Sequence, residues 1–409
     1  MKYYRRENYL RKIRGFYEDT GLIKVITGVR RCGKSCLMAT IADEMRERGI
    51  DDAHIVYLDL DRRPYKNIKT PDRLESLIDE KTPSFGTTYL FIDEIQNVKG
   101  FEEVINAIRG EGRHSIFITG SNSYLLSGEL VTKLTGRYLE FEMFPLTFDE
   151  FLGMKGFLRK SIAVNLIDEF DQYLRGGGFP KAVQYESADD RRTYIESVVA
   201  EIFKKDIRQR IKIRNLSVFQ KVQTYLINNF GAATSLDNLL ADLEKTGIHI
   251  KRETLNRYIG ILKDAKILYE CSRFDLKSRS SIRGEQKHYL SDLGFYFATN
   301  TDNRINYGPA LENVIYTYAR SRGYAASIGR IGQLECDFIL RKGDTGYAYV
   351  QACMTMMNDR RTEDREYAPL EKIRDNYPKY ILTRNDSIQQ RNGIIHANLP
   401  EFMRDGTMF

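Results

Sequence analysis

Residues 28–36 carry the residue types and spacing of a phosphate-binding loop, G-x-x-x-x-G-K-[ST]. Glycines let backbone N–H groups turn inward around a phosphate, and Lys34 can reach its β and γ oxygens. Ser35 can offer its hydroxyl to Mg²⁺, and a helix that begins here directs its positive end at the anion. The pattern therefore predicts a triphosphate-binding loop, with these residues: Gly28, Val29, Arg30, Arg31, Cys32, Gly33, Lys34, Ser35 and Cys36.

Two adjacent carboxylates, Asp93 and Glu94, end the most apolar strand-like run of the chain. Taken alone, they could be ordinary loop charges. Because they follow a complete phosphate loop by about sixty residues, we expect Asp93 to hold a water on Mg²⁺. Glu94 is then placed to orient or deprotonate the attacking water.

Two further polar positions could serve the same reaction. Asn122 follows the apolar run 115–119, where its side chain could contact the γ-phosphate or the attacking water, although a simple strand-to-loop turn explains the composition equally well. Arg137 stands just before another strand-like run. It could be a surface residue, or it could sense the γ-phosphate within its own chain or across a subunit contact.

The elements that must position these residues alternate between strand and helix over the first 150 residues. Apolar runs at 22–27, 54–59, 89–92 and 115–119 are separated by helix-like segments, which predicts an α/β fold with a parallel sheet covered on both faces. Hydrophobic residues make up 42% and charged residues 29% of the 409, so a largely disordered chain is excluded. No run approaches 18 apolar residues, the N-terminus lacks a secretory pattern, and the five cysteines are scattered. We therefore expect a cytoplasmic protein without a disulfide framework or membrane span.

The positive charge is concentrated in one segment. Residues 201–300 hold 18 Lys and Arg against 11 Asp and Glu, which equals the net charge of +7 for the whole chain. Three helix-like segments followed by two strand-like runs predict a winged helix-turn-helix, which could bind double-stranded DNA or a protein partner. The candidate DNA contacts lie on its third helix and wing: Lys251, Arg252, Asn256, Arg257, Lys277 and Arg279.

The order of the motifs resembles that of one prokaryotic family. GVRRCGKS, YLFIDE, FITGSNS, LTGR, PLTFDEF and GGGFPKA follow one another as in the AAA+ ATPases that carry a C-terminal nuclease-like domain of unknown function. The resemblance implies ATP as the nucleotide, Asn122 at the sensor-1 position and Arg137 at an arginine-finger-like position. It also implies a helical lid near GGGFP, where Pro180-Lys181 stands in place of a sensor arginine.

The same resemblance extends to a PD-(D/E)XK nuclease core in the last hundred residues. It implies a degenerate metal site formed by Glu312, Asp337 and Gln351. Cys353 stands where the catalytic lysine is expected, and an amide replaces a carboxylate, which binds hard cations better. A pseudo-nuclease that keeps the fold for binding is favoured over an atypical nuclease, in which Lys379 or Arg365 could supply the missing charge.

These patterns predict four domains and one principal activity. The domains are an AAA+ ATPase core over 1–148, a helical lid over 149–210, a winged helix-turn-helix over 211–300 and a restriction-endonuclease-like α/β domain over 301–409. The principal activity is Mg²⁺-dependent ATP hydrolysis coupled to DNA binding, with Lys34, Glu94, Asn122 and Arg137 catalytic and with Ser35 and Asp93 on the metal. A slow-turnover ATP switch and an ATP-dependent nuclease remain as alternatives, and the chain could form a homo-oligomer.

Overall fold

The chain divides into two compact units, Met1–Met143 and Phe144–Phe409. The structure is a computed structural model. It describes these residues: 3–120, 134, 136–208, 213, 215–278, 280–300, 306–343, 346–355, 360–385 and 389–409.

The first unit is built on a five-stranded parallel sheet with the order β2-β3-β4-β1-β5. The strands are buried along almost their whole length, except that β5 is mostly half-buried. Their bounds are β1 Ile23–Gly28, β2 Ile55–Asp59, β3 Thr88–Asp93, β4 His114–Thr119 and β5 Tyr138–Met143. The parallel sheet predicted from the alternating apolar runs is confirmed.

Side chains alternate between the two faces of this sheet, and each face has its own apolar layer. One face packs aliphatic residues such as Val25, Leu90 and Ile118 against two helices. The other carries a stacked column in which the rings of Tyr57 and Phe117 flank Phe91, at 5.9 and 4.7 Å between centroids. The helices of the unit are α1 Glu7–Ile13, α2 Lys34–Glu47, α3 Pro71–Lys81 and α4 Phe101–Gly110.

The second unit begins with helices that form partly buried ion pairs with its C-terminal part. Arg322 donates to Asp149 at 2.8 Å, and Arg384 donates to Asp171 at 2.6 and 2.9 Å. These contacts join residues more than 170 positions apart, so the first helices and the C-terminal strands form one unit. The helices are α5 Phe148–Phe157, α6 Leu166–Gly176, α7 Ala188–Ile202, α8 Leu216–Asn228, α9 Leu236–Lys245, α10 Arg252–Asp264, α11 Gly294–Thr299, α12 Tyr307–Ser321, α13 Arg360–Lys372 and α14 Leu399–Arg404.

The GGGFP segment owes its glycines to close backbone packing within this unit. A Cβ atom on Gly178 would lie 2.1 Å from the carbonyl oxygen of Leu146, and Gly177 has a φ of 66°. The carboxylate of Asp292 accepts hydrogen bonds from the N–H groups of Gly178, at 2.6 Å, and Gly294, at 2.7 Å. Burial raises the pKa of Asp292 to about 7, although both hydrogen bonds oppose that shift. Through Asp292, the segment therefore joins the end of α6 to the turn before α11 by hydrogen bonds.

An eight-stranded mixed sheet organises the rest of the second unit, in the order β12-β13-β11-β10-β9-β8-β6-β7. Helix α13 packs on one face through Tyr367 and Leu370, and α12 packs on the other, where Tyr316 stacks on Tyr289 at 4.7 Å. The strands are β6 Leu268–Asp275, β7 Ser280–Leu290, β8 Ala325–Ile331, β9 Leu334–Arg341, β10 Tyr347–Cys353, β11 Lys379–Thr383, β12 Gln389–Arg391 and β13 Ile394–Asn398.

This sheet continues across residue 300, where the sequence places a domain boundary. The hairpin β6–β7 follows three helices in the predicted order, and β6 pairs with β8 in parallel, with Arg273 opposite Ile328. The strands predicted as a wing are thus also the last two strands of the sheet that contains the C-terminal strands, with β7 at its edge. The four-domain division itself stays a prediction.

Candidate nucleotide site

The turn between β1 and α2 has backbone geometry that glycine makes possible. Gly28 has a φ of 142°, and a Cβ atom there would lie 2.2 Å from the carbonyl oxygen of Met143. Gly33 also has a positive φ, 109°, immediately before α2 begins at Lys34. The strand, the turn and the helix thus follow one another as the phosphate-loop pattern requires, with the amino end of the helix at the turn.

Lys34 lies inside this turn. Its side chain is mostly buried, and Nζ donates to the carbonyl oxygens of Gly28, at 2.9 Å, and Val29, at 3.3 Å. These carbonyl contacts hold the ammonium at the glycine turn, where it can also bind an anion. The remaining loop positions, 30–32, complete the turn with Arg31 at a φ of 70°.

No sequence pattern indicates Arg6, which precedes α1 and reaches the same turn. Its guanidinium is buried, stacks over the ring of Tyr9 and donates to the carbonyl oxygen of Cys32 at 3.1 Å. Because 26 residues separate Arg6 from Cys32, no local pattern links them. An arginine near a tyrosine-rich N-terminus is too common a pattern to predict a contact with a phosphate loop. Arg6 thus contacts the loop at Cys32, whereas the ammonium of Lys34 contacts it at Gly28 and Val29.

Asp93 ends β3 beside the loop and is 2% exposed. Its carboxylate accepts hydrogen bonds from the hydroxyls of Ser35 and Thr119. Burial raises the pKa of Asp93, and these two hydrogen bonds oppose the increase. The first turn of α2 and the ends of β3 and β4 therefore bring one carboxylate and two hydroxyls together. These are hard oxygen donors, so the residues fit a Mg²⁺ ion.

Glu94 follows Asp93 in a left-handed backbone conformation, with a φ of 56°. This conformation is uncommon for a residue with a side chain and often occurs at functional sites. The Glu94 N–H donates to Thr119 Oγ1 at 3.3 Å, and its carboxylate accepts a hydrogen bond from Gln96. The side chain is thus oriented at the same strand edge as Asp93 and remains half-buried.

Arg137 lies at the opposite edge of the sheet from this cluster. Its carbonyl oxygen accepts from the N–H of Ile23 at the start of β1, and its guanidinium donates to Asn106 at 3.0 Å. The phosphate loop begins at Gly28, at the other end of β1, where Gly28 pairs with Met143 of β5. Five strand residues span about 17 Å, and this distance separates Arg137 from its own loop in the structure. The role of Arg137 as a γ-phosphate sensor, within its own chain or across a subunit contact, stays a prediction.

Asn122 and its neighbour Ser121 lie outside the described residues, so the sensor-1 assignment stays a prediction. Thr119 and Gly120, just before them, do lie at the carboxyl end of β4. Of these, Thr119 donates its hydroxyl to the Asp93 carboxylate and accepts from the backbone N–H of Glu94. Thr119 is therefore a member of the cluster that the sequence left unassigned.

The candidate DNA contacts of the second unit lie where α10 starts. Lys251, Arg252, Asn256 and Arg257 are exposed there, and Arg252 forms an ion pair with Asp237 of α9. Lys277 is exposed at the tip of the β6–β7 hairpin, whereas Arg279 lies outside the described residues. The buried positions of α10 between them, such as Leu255 and Tyr258, hold this surface in place.

The C-terminal residues Glu312, Asp337 and Gln351 do meet in space, from α12, β9 and β10. Cys353 lies at the end of β10, where its thiol donates to the carbonyl oxygen of Thr355 at 3.4 Å. The two proposed substitutes for a catalytic lysine are engaged elsewhere: Lys379 donates to the carbonyl of Asp375 at 2.8 Å, and Arg365 donates to Glu366 at 2.9 Å.

Comparisons with known proteins agree with this geometry. The chain is 34% identical over 382 residues to an uncharacterized protein of Haemophilus influenzae, with 92% of each chain covered. The chain belongs to the same family as that protein. An uncharacterized protein of Methanocaldococcus jannaschii, MJ1544, is 28% identical over 378 residues, covering 89% of this chain and 82% of its own.

Two domain families also match. Residues 20–152 match a family described as an AAA domain, and residues 167–304 match a domain of unknown function. Among solved structures, the Walker-type ATPase PABY2304 of Pyrococcus abyssi is similar over 73% of this chain and 96% of its own, with a TM-score of 0.51 and 14% identity. At that identity the likeness shows the fold alone. The first unit is therefore a P-loop domain of the AAA+ ATPase type.

Among the described residues, no helix combines the length and the apolar character that crossing a bilayer requires.

Proposed function

We propose that this family member binds ATP with Mg²⁺ and hydrolyses its terminal phosphoanhydride bond. One observation carries the proposal: Lys34 and Ser35 at the start of α2 and Asp93 and Glu94 at the end of β3 lie at one edge of the parallel sheet, beside the glycine turn. Phosphoryl transfer needs positioning and charge stabilisation more than covalent chemistry, and these groups supply both.

Each residue has a defined task in this proposal. Lys34 neutralises the β and γ oxygens, and the loop N–H groups fix the β-phosphate. Ser35 and Asp93 would hold Mg²⁺, which withdraws charge from the phosphate oxygens when it is bound. Glu94, oriented by Gln96, accepts the proton of the attacking water. Adenine is favoured over guanine only because the AAA domain family matches.

Steady-state phosphate release by the purified wild-type chain tests this proposal. With ATP and Mg²⁺ we expect continuous release over many turnovers, and no release when EDTA replaces Mg²⁺. The measurement is made with and without duplex DNA. If ATP is bound but phosphate release is undetectable under both conditions, the protein is a nucleotide-occupied switch and hydrolysis is not its function.

We also propose that the start of α10 and the β6–β7 hairpin bind double-stranded DNA. The exposed basic residues of α10 and the concentration of the net positive charge in residues 201–300 support it. Such contacts release counterions from the phosphates, so the affinity should fall steeply as salt increases.

The double substitution Lys251→Ala and Arg257→Ala is expected to weaken duplex binding and to reduce the slope of log affinity against log salt by about 2. Fluorescence anisotropy of a labelled duplex between low and physiological salt measures both quantities. Lys245→Ala, on the exposed surface of α9, is the matched control and should leave the slope unchanged. A wild-type affinity that does not respond to salt would point to a protein partner instead.

A further inference from the structure

An ammonium group occupies the middle of the C-terminal carboxylate cluster. Lys287, on β7, is buried, and its Nζ lies 3.0 Å from Glu312, 3.1 Å from Glu335 and 4.0 Å from Asp337. Its side chain is 7% exposed, and those of Glu312 and Asp337 are 15% and 11% exposed. Three carboxylates from one helix and one strand thus surround the Lys287 ammonium, which another strand supplies.

Protein donors already engage the oxygens that a metal ion would need. Glu312 Oε2 accepts from both Lys287 Nζ and the Tyr289 hydroxyl, the latter at 2.7 Å. Asp337 Oδ2 accepts from the N–H of Ala352 at 2.8 Å. The carboxylates therefore have hydrogen-bond partners inside the fold, and burying them is compensated without a metal.

Gln351, the third expected metal ligand, is held in a different role. Its Oε1 accepts from the backbone N–H of Asp337 at 3.3 Å, and its Nε2 donates to Glu366 at 2.9 Å. The amide thus bridges β9 to α13. The side-chain oxygen that a (D/E/Q)-x-K motif would offer to Mg²⁺, here Gln351 Oε1, is hydrogen-bonded to the backbone of β9.

We propose that Lys287 is a built-in cation that takes the place of a divalent metal between Glu312, Glu335 and Asp337, so that the nuclease-like domain binds no Mg²⁺ there and does not cut nucleic acid. The residues present do not fit the metal that a PD-(D/E)XK core requires. The domain keeps the architecture of such a core while its own lysine satisfies the charge.

Electrostatics supports this arrangement. Burial alone would lower the pKa of Lys287, but the charges of Glu312, Asp337 and Glu335 outweigh it and the pKa is raised. Lys287 therefore remains an ammonium at neutral pH. Burying a lone ammonium would cost free energy. An ammonium surrounded by carboxylates offsets that cost, and removing it would leave the carboxylate charges uncompensated.

The test is a Mn²⁺ titration of the nucleotide-free full-length chain. Binding is measured as the loss of the electron paramagnetic resonance signal of free Mn²⁺. The titration curves of wild type and Asp337→Asn should superimpose, because neither protein binds a metal ion at the cluster. Lys287→Met should take up one additional equivalent of Mn²⁺, and Lys287→Met/Asp337→Asn should lose it. Any site elsewhere, such as Asp93, is common to all four proteins and cancels.

Lys263→Met is the matched control, since it removes another lysine that pairs with a glutamate, Glu270, in the same unit. It should leave Mn²⁺ uptake at the wild-type level. A folded Lys287→Met protein with no additional equivalent overturns the proposal. If that variant does not fold, wild type against Asp337→Asn decides: superimposed titrations support the proposal, and a loss of one equivalent in Asp337→Asn overturns it.

Discussion

Replacing Lys34 with alanine is expected to reduce steady-state phosphate release by on the order of 100-fold or more, as for other preorganised charges at a reacting centre. The β and γ oxygens lose the cation that balances them, so ATP affinity should fall as well. Phosphate release and the binding of a fluorescent ATP analogue measure the two effects. In the structure the ammonium already points into the turn, toward the carbonyls of Gly28 and Val29.

The control for this substitution is Lys69→Ala, which removes an exposed lysine of the same unit far along the chain from the loop. Its turnover should equal that of wild type. Thermal unfolding of Lys34→Ala should stay within a few degrees of wild type, because the side chain makes two hydrogen bonds worth about 1 kcal/mol each. Unchanged phosphate release from a folded Lys34→Ala protein would contradict the proposed nucleotide site.

Glu94→Gln should separate binding from hydrolysis. An amide has nearly the same size as the carboxylate but cannot accept the proton of the attacking water, so turnover should fall by about 10²–10⁴-fold. ATP affinity should remain close to wild type, because Lys34 and the loop N–H groups are untouched. Single-turnover measurements with bound ATP distinguish slow hydrolysis from weak binding.

Two comparisons make the Glu94 result specific. Glu75→Gln changes an exposed glutamate of α3 in the same way and should hydrolyse ATP normally. Asp93→Asn should impair the Mg²⁺ dependence of turnover as well as its rate, since Asp93 is the buried carboxylate next to Ser35. Normal turnover by Glu94→Gln would show that another group activates the water.

The nucleotide site could be predicted because its determinants are close together in the chain. A glycine turn between an apolar strand and a helix fixes the backbone locally, so the spacing of Gly28, Gly33 and Lys34 already contains the loop geometry. Asp93 could be added because the carboxyl ends of parallel strands meet at one edge of a sheet. The order of the apolar runs was enough to predict that sheet.

Residues that act across long separations could not be found this way. Arg6 touches the loop only because the segment before α1 folds back onto it. Arg137 lies at the opposite edge of the sheet from the loop because it precedes β5, which runs parallel to β1. Neither the contact nor the edge is encoded in a local pattern, since both depend on which elements pack together.

The C-terminal cluster shows the same division more strongly. The types and order of Glu312, Asp337 and Gln351 resembled a metal site, and the substitution of Cys353 for lysine could be read directly. That Lys287 fills the centre depends on the pairing of β6 with β8, which carries the hairpin into the C-terminal sheet. Local spacing dictates backbone turns and strand ends, but only the packed chain decides which distant charge a buried carboxylate meets. Folding removes both groups from water at a cost, and only their attraction at close range in the folded core offsets it.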